Sequence, residues 1–288
     1  MPKKQGEAPR LASAERARRV CGGLLLVPEA PLILLLLGVY WVAGAPAWLS
    51  VAITLLIIGF IARLLALLSA RLAYDSAHYG EAGVLASVAL ALNPWSADTL
   101  ALRGTVALAQ GQPAFAETAL RRAAALLPGQ AAVYGALSSA LLAQGRAQEA
   151  AAAARTALAL APHLALAQLY LAEAERASGV PALEVEDRLR AGLAAAAAAE
   201  DEAALRCALG GLLFAEGREA EAMLTMRGAE ALLPQCKPAR QLELRVRLGE
   251  LLIAQGQLDR AREQFRSVAA LDPSGRYTGA AWRASHLL

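Results

Sequence analysis

Cysteine, histidine, lysine and asparagine are all scarce in this chain, and each scarcity closes off a class of function. Three cysteines (Cys21, Cys207 and Cys236) in 288 residues make no disulfide framework. The three histidines, His78, His163 and His286, stand far apart, and neither HExxH nor CxxC occurs, so the chain carries no metal motif. The Gly-Gly pairs at 22–23 and 210–211 lack the Lys-Ser/Thr of a phosphate-binding loop. Charged residues make up only 18% and the net charge is +3, with no basic stripe, which excludes a nucleic-acid partner. The acidic runs Glu184-Val185-Glu186-Asp187 and Glu200-Asp201-Glu202 read as solvated helix ends. The expectation is a protein that is not an enzyme, with no catalytic residue, metal or cofactor.

What the chain has in excess is apolar surface, at 57% of residues. A soluble domain averages about 45–50% apolar and about 25% charged. Intrinsic disorder is excluded, because it requires the opposite balance. The excess is densest at the N-terminus, where Gly22–Ala43 and Ala47–Leu68 are two apolar runs of 22 residues joined by Gly44-Ala45-Pro46. As helix, each run is about 33 Å long, which matches a hydrocarbon core of about 30 Å. So short a joint makes them an antiparallel transmembrane hairpin, with Tyr40, Trp41 and Trp48 as an aromatic belt at the turn. Six Lys/Arg precede the first run, the turn carries no charge, and Arg63 and Arg71 lie toward and beyond the end of the second. That asymmetry places both ends of the hairpin in the cytoplasm.

Two other arrangements use the same residues. Arg18-Arg19 before an apolar run, with Ala45-Pro46-Ala47 after it, has the pattern of an export signal with a cleavage site. Pro28-Glu29-Ala30-Pro31 would break the first helix and leave a short re-entrant segment. Glu29 lies sixteen residues before Ala45 and Arg63 eighteen after, so the hairpin brings them to one depth as an intramembrane pair. With no further polar relay, the pair reads as structural rather than as an ion site. Gly38, Gly44 and Gly59 offer positions for close helix approach.

Beyond the hairpin the chain repeats itself. Prolines at 94, 128 and 162, glycines at 111, 145 and 179 and alanines at 82, 116 and 150 all recur every 34 residues. Later units close at Pro234 and Pro273, each with a glycine seventeen residues earlier, Gly217 and Gly256. A small residue recurs at the eighth position (Gly104, Ser138, Ala172, Gly210, Gly249). Position twenty is alanine except at Glu184, and position twenty-seven runs Ala89, Ala123, Ala157, Ala191, Ala229, Val268. Small residues let paired helices approach, glycine ends the first helix and proline stops the second. This pattern resembles the tetratricopeptide-repeat (TPR) family, over six units at 63–96, 97–130, 131–164, 165–198, 203–236 and 242–275. Arginine in place of lysine and abundant alanine point to a bacterial source.

The expected fold is all-α: a basic cytoplasmic arm (1–21), a transmembrane helical hairpin (22–68), a TPR-like solenoid (63–275) and a C-terminal cap (276–288) containing Trp282. The first unit begins inside the second apolar run, so one rigid helix from about Trp48 to Asp75 should join membrane and solenoid. The resemblance implies a concave groove lined by first-helix residues. Here that lining is Leu108 and Leu142, then Leu166, Leu169, Glu173 and Arg176, then Phe214, and finally Val246, Glu250 and Ile253. Arg176 is the one basic residue in this set and Asn93 the one asparagine in the chain, which argues against the family's clamp for chaperone tails. The small, apolar lining fits an amphipathic helix or apolar segment of a protein partner, or a tightly wound solenoid that fills itself. The resulting expectation is a membrane-anchored adaptor at the cytoplasmic face of a bacterial inner membrane. Its partners are the bilayer and proteins; the competing readings are an accessory structural subunit of a larger membrane enzyme or transport complex, and an assembly factor.

Overall fold

The computed structural model describes residues 29–42 and 47–272, with Gly275, Tyr277, Gly279, Trp282 and His286 beyond them. The helices are α1 (Glu29–Val42), α2 (Ala47–Asp75), α3 (Tyr79–Leu92), α4 (Ala97–Ala109), α5 (Pro113–Leu126), α6 (Ala131–Leu142) and α7 (Ala147–Leu160). They continue as α8 (Ala165–Ala177), α9 (Ala182–Ala195), α10 (Ala199–Ala215), α11 (Glu219–Leu232), α12 (Pro238–Ala254) and α13 (Leu258–Leu271). From α2 onward they pair as six antiparallel hairpins, α2/α3 to α12/α13, and each hairpin stacks on the next.

The repeat markers do what their chemistry requires. Gly111, Gly145, Gly179, Gly217 and Gly256 all adopt left-handed backbone with φ between 72° and 80°. There each ends its helix; at Gly145 the N–H bonds to Leu142 O (2.9 Å) and the Arg146 N–H to Leu141 O (3.0 Å), closing the last turn. Ala82, Ala116, Ala150, Ala222 and Ala261 are fully buried between paired helices. At Gly104, Gly210 and Gly249 an added Cβ would lie 2.6 Å from Leu120, Met226 and Phe265 respectively. The Phe265 ring is rigid and fully buried, so Gly249→Ala is expected to cost about 1–3 kcal/mol, read as a lower thermal midpoint in detergent.

Three features depart from the expected pattern. In the fourth unit the second helix slips by one residue: Val185 and Gly192 are buried where Glu184 and Ala191 were expected, and those two are exposed. Pro181, as the N-cap, starts α9 one residue late relative to α7. In the acidic run there Glu184 and Asp187 are exposed, but Glu186 is buried and paired with Arg190 (2.6 Å) and Arg218 (2.7 Å). Finally, the fifth and sixth units start 38 and 39 residues after their predecessors, and the extra residues become an added turn at the start of α10 and of α12. These helices are 17 residues long, against 12 or 13 for α4, α6 and α8.

The N-terminal hairpin differs from its expected form. Among the described residues one helix, α2, is long and apolar enough to cross a membrane, by length and composition. α1 packs along α2, covering Leu49 and Ile53, but spans 14 residues, about 21 Å. The arm 1–21, residues 22–28, Gly44 and the Glu29 side chain lie outside the described residues. Within the chain, a Cβ at Gly38 or Gly59 would meet nothing within 4 Å. Arg63 is buried, with Nη1 donating to Ser96 Oγ (3.3 Å) and the guanidinium 5.6 Å from the Phe60 ring centre. It ties α2 to the start of α4. Of the C-terminal segment, Tyr277 donates its N–H to Asp272 (2.7 Å), while Trp282 is exposed and stacked on His286.

Candidate functional site

The inserted turn of α12 carries the last repeat back onto the first. Lys237 Nζ sits 2.9 Å from Asp75 Oδ2, and Tyr79 Oη donates to Ala239 O at 3.5 Å. Ala77, Tyr79, Leu242, Leu252, Phe265 and Val268 form one buried cluster across this junction. The inserted turn of α10 joins it, since Glu200 accepts the Lys237 N–H at 2.8 Å. The solenoid thereby closes around its own concave face.

Closure leaves a central cavity of about 480 Å³. Four of the six tyrosines are in or around it: Tyr74, Tyr79, Tyr170 and Tyr277. Tyr74 meets Tyr79 edge to face at 5.8 Å. Burial pushes the Tyr74 and Tyr170 phenols above their ordinary range, so both are neutral donors at physiological pH. Burial opposes the charge of Arg240, but Glu243, 2.7 Å away, more than offsets it and holds the guanidinium charged. Burial also raises Asp201 at the rim. The wall thus sets neutral phenols beside two ion pairs, Arg240–Glu243 and Lys237–Asp75, with the carboxylates of Glu200 and Asp201.

A second pocket of about 250 Å³ opens where α8, α10 and α12 splay apart. Its floor is apolar (Val185, Leu189, Cys207, Leu212) and its rim charged (Glu173, Arg176, Arg247, Glu250). Glu173 and Arg247 form an ion pair across it. Burial pushes the Cys207 thiol up to about 12, so it lines the floor as a neutral thiol.

The residues expected to line one groove are divided among these places. Leu108 and Leu166 line the central cavity, and Glu173, Arg176 and Glu250 meet at the second pocket. Val246 and Ile253 pack into the closure junction. Leu142 and Phe214 pack onto the cores of neighbouring hairpins. Leu169 is a correction: it is 1% exposed and belongs to the core, because α8 turns that position toward α9 and α10. Sequence reasoning missed Tyr74, Tyr170, Arg240 and Arg247. The concentration of tyrosine in a chain with 5% aromatic residues was the available signal. His78 and His163 are exposed and line neither pocket, and among the described residues no group of three His, Cys, Asp or Glu side chains is placed to hold a metal.

Residues 131–164 and 242–274 match the family model of the tetratricopeptide repeat. No curated protein matches the chain. Among solved structures, a tetratricopeptide repeat protein from Parabacteroides merdae is 16% identical over 78% of this chain and 84% of its own, with a TM-score of 0.57. The APC/C hetero-tetramer Cut9–Hcn1 is 15% identical over 90% of this chain and 46% of its own, with a TM-score of 0.56. An O-GlcNAc transferase from Thermobaculum terrenum is 24% identical over 47% of this chain, which spans 26% of the transferase, with a TM-score of 0.46. The first two likenesses show the fold: a solenoid of helical hairpins.

Proposed function

We propose that this tetratricopeptide-repeat protein is a non-catalytic scaffold, held on the cytoplasmic face of a bacterial inner membrane and docking partner proteins there. Proteins of this family generally mediate protein–protein interactions. The observation that carries the membrane reading is the double nature of α2. Its first part is apolar and exposed, with Trp48 71% and Leu55 63% accessible, whereas its last part is the first helix of the solenoid. An apolar surface of that size in water needs a covering. In this reading α2 crosses the bilayer, α1 packs beside it as the other arm of the hairpin, and both ends of the chain lie in the cytoplasm.

The docking site we assign is the second pocket. An apolar floor under a charged rim suits one apolar side chain of a partner segment, flanked by polar groups that set its orientation. The central cavity is walled by the chain's own tyrosines and is the poorer candidate for an amphipathic helix. Alkaline carbonate extraction of cell membranes tests the anchor: the full chain is expected in the pellet, and release into the supernatant would overturn it. For docking, partners cross-linked to the wild-type chain should be lost from Gly211→Leu, whose side chain enters the pocket. Retention of the same partners by a normally folded variant rejects this site.

A further inference from the structure

The second helix of the first repeat differs from its five counterparts. α5, α7, α9, α11 and α13 each carry both acidic and basic residues, as with Glu117, Arg121 and Arg122 on α5. α3 has a single charge, Glu81, in its first turn. From Ala82 to Ala97 the chain has none, yet Val84, Val88, Leu92 and Trp95 are exposed, Trp95 at 72%. On the paired helix α2, Leu64, Leu65 and Leu68 are exposed as well. The hairpin's exposed charges, Arg71 and Glu81, lie with the half-buried Asp75 at the opposite end, around the α2–α3 turn. The terminal repeat of a solenoid ordinarily needs a polar outer face to stay in water. This one lacks it over most of its length.

The height of this surface follows from one bond. Arg63 Nη1 to Ser96 Oγ (3.3 Å) fixes the end of α3 beside residue 63 of α2. A hydrocarbon core of about 30 Å takes about 20 helical residues, so a span starting at Ala47 ends near Ala66. Trp95 then lies at the edge of the core, where indole rings settle, and Arg71, Asp75 and Glu81 lie above it in the headgroup zone and water. We infer that the charge-free end of the first repeat, Val88, Leu92 and Trp95 with Leu64, Leu65 and Leu68, is a lipid seat. The solenoid does not hang from its anchor on a stalk; its first repeat beds into the bilayer interface. The occupant is lipid because the surface continues the exposed apolar surface of α2 without a charged break. The inference rests on α2 crossing the bilayer.

Two single-tryptophan forms of the full chain, reconstituted into phosphatidylethanolamine–phosphatidylglycerol vesicles, test it. One keeps Trp95 (Trp41→Phe, Trp48→Phe, Trp282→Phe) and the other keeps Trp48 (Trp41→Phe, Trp95→Phe, Trp282→Phe). With lipids brominated near the headgroup, Trp95 emission is expected to fall about two-fold, and aqueous iodide should have little effect. Quenching of Trp48 without quenching of Trp95 leaves the anchor standing and overturns the seat. Quenching of neither overturns both. A Trp95 shielded from both bromine and iodide indicates cover by a second copy of the chain and overturns the lipid assignment.

Discussion

Phe265→Ala is expected to lower stability by about 3–5 kcal/mol, among the largest losses a single truncation gives. The ring is fully buried, rests against Gly249 and sits in the cluster that joins the last repeat to Ala77 and Tyr79 of the first. Removing it leaves a void that cannot collapse without moving α12, and α12 carries the closure contacts. The variant should therefore also open the junction between Lys237 and Asp75. Thermal unfolding in detergent measures the first effect. Spin labels at Glu81 and Arg240, far apart in sequence and across the junction, measure the second as a longer, broader distance distribution. A variant that loses stability while keeping the wild-type distance would show that closure does not depend on the ring.

Glu117→Gln is expected to cost about 1–3 kcal/mol and to remove part of the acid sensitivity of folding. The Glu117 carboxylate is 7% exposed; Arg146 Nη1 donates to both of its oxygens (2.7 and 2.8 Å), Gln144 donates at 2.8 Å, and Arg121 pairs from the same helix. Burial opposes its charge, but the bonds from Gln144 and Arg146 prevail and hold its pKa below the ordinary carboxylate value. A depressed pKa stabilises the fold above the unfolded-state value near 4.5, and that contribution disappears as pH falls through the folded value. Between neutral pH and about pH 3 the wild type should lose more stability than the variant, and their melting curves should converge. Parallel curves across that range would assign the effect to packing alone. Arg146 is one third exposed, so water screens the pair and keeps the loss below that of a fully buried one.

The helical hairpins were legible because local chemistry writes them. A glycine that must take φ near +75° and an alanine that must fit between two helices recur at fixed distances wherever the hairpin recurs. The one-residue slip of α9 was marked in the sequence only by Glu184, the break in the alanine series at position twenty; Ala191 keeps the series, and only packing reveals Val185 and Gly192 as the buried positions. The groove was legible in part. Glu173, Arg176 and Glu250 meet as the family pattern implies, but Leu169 faces the core. Closure was invisible for a different reason: it depends on small rotations summed over five repeat interfaces, and no local pattern records that sum. The interruptions of the period were visible only as the residues left between units 165–198, 203–236 and 242–275. In the fold they are the turns that bring Lys237 to Asp75 and Glu200 to the Lys237 N–H.

That junction changes how the molecule should come apart. An open array of repeats melts from its ends, because each terminal unit has one neighbour, and partly frayed forms accumulate. Here each terminal unit has two, one through the stack and one across the junction. Amide hydrogens of α3 and α13 should then exchange with solvent as slowly as those of α6 and α7, and through the same global opening. With its first and last repeats packed together, the solenoid also offers no open terminal repeat from which stepwise unravelling could begin.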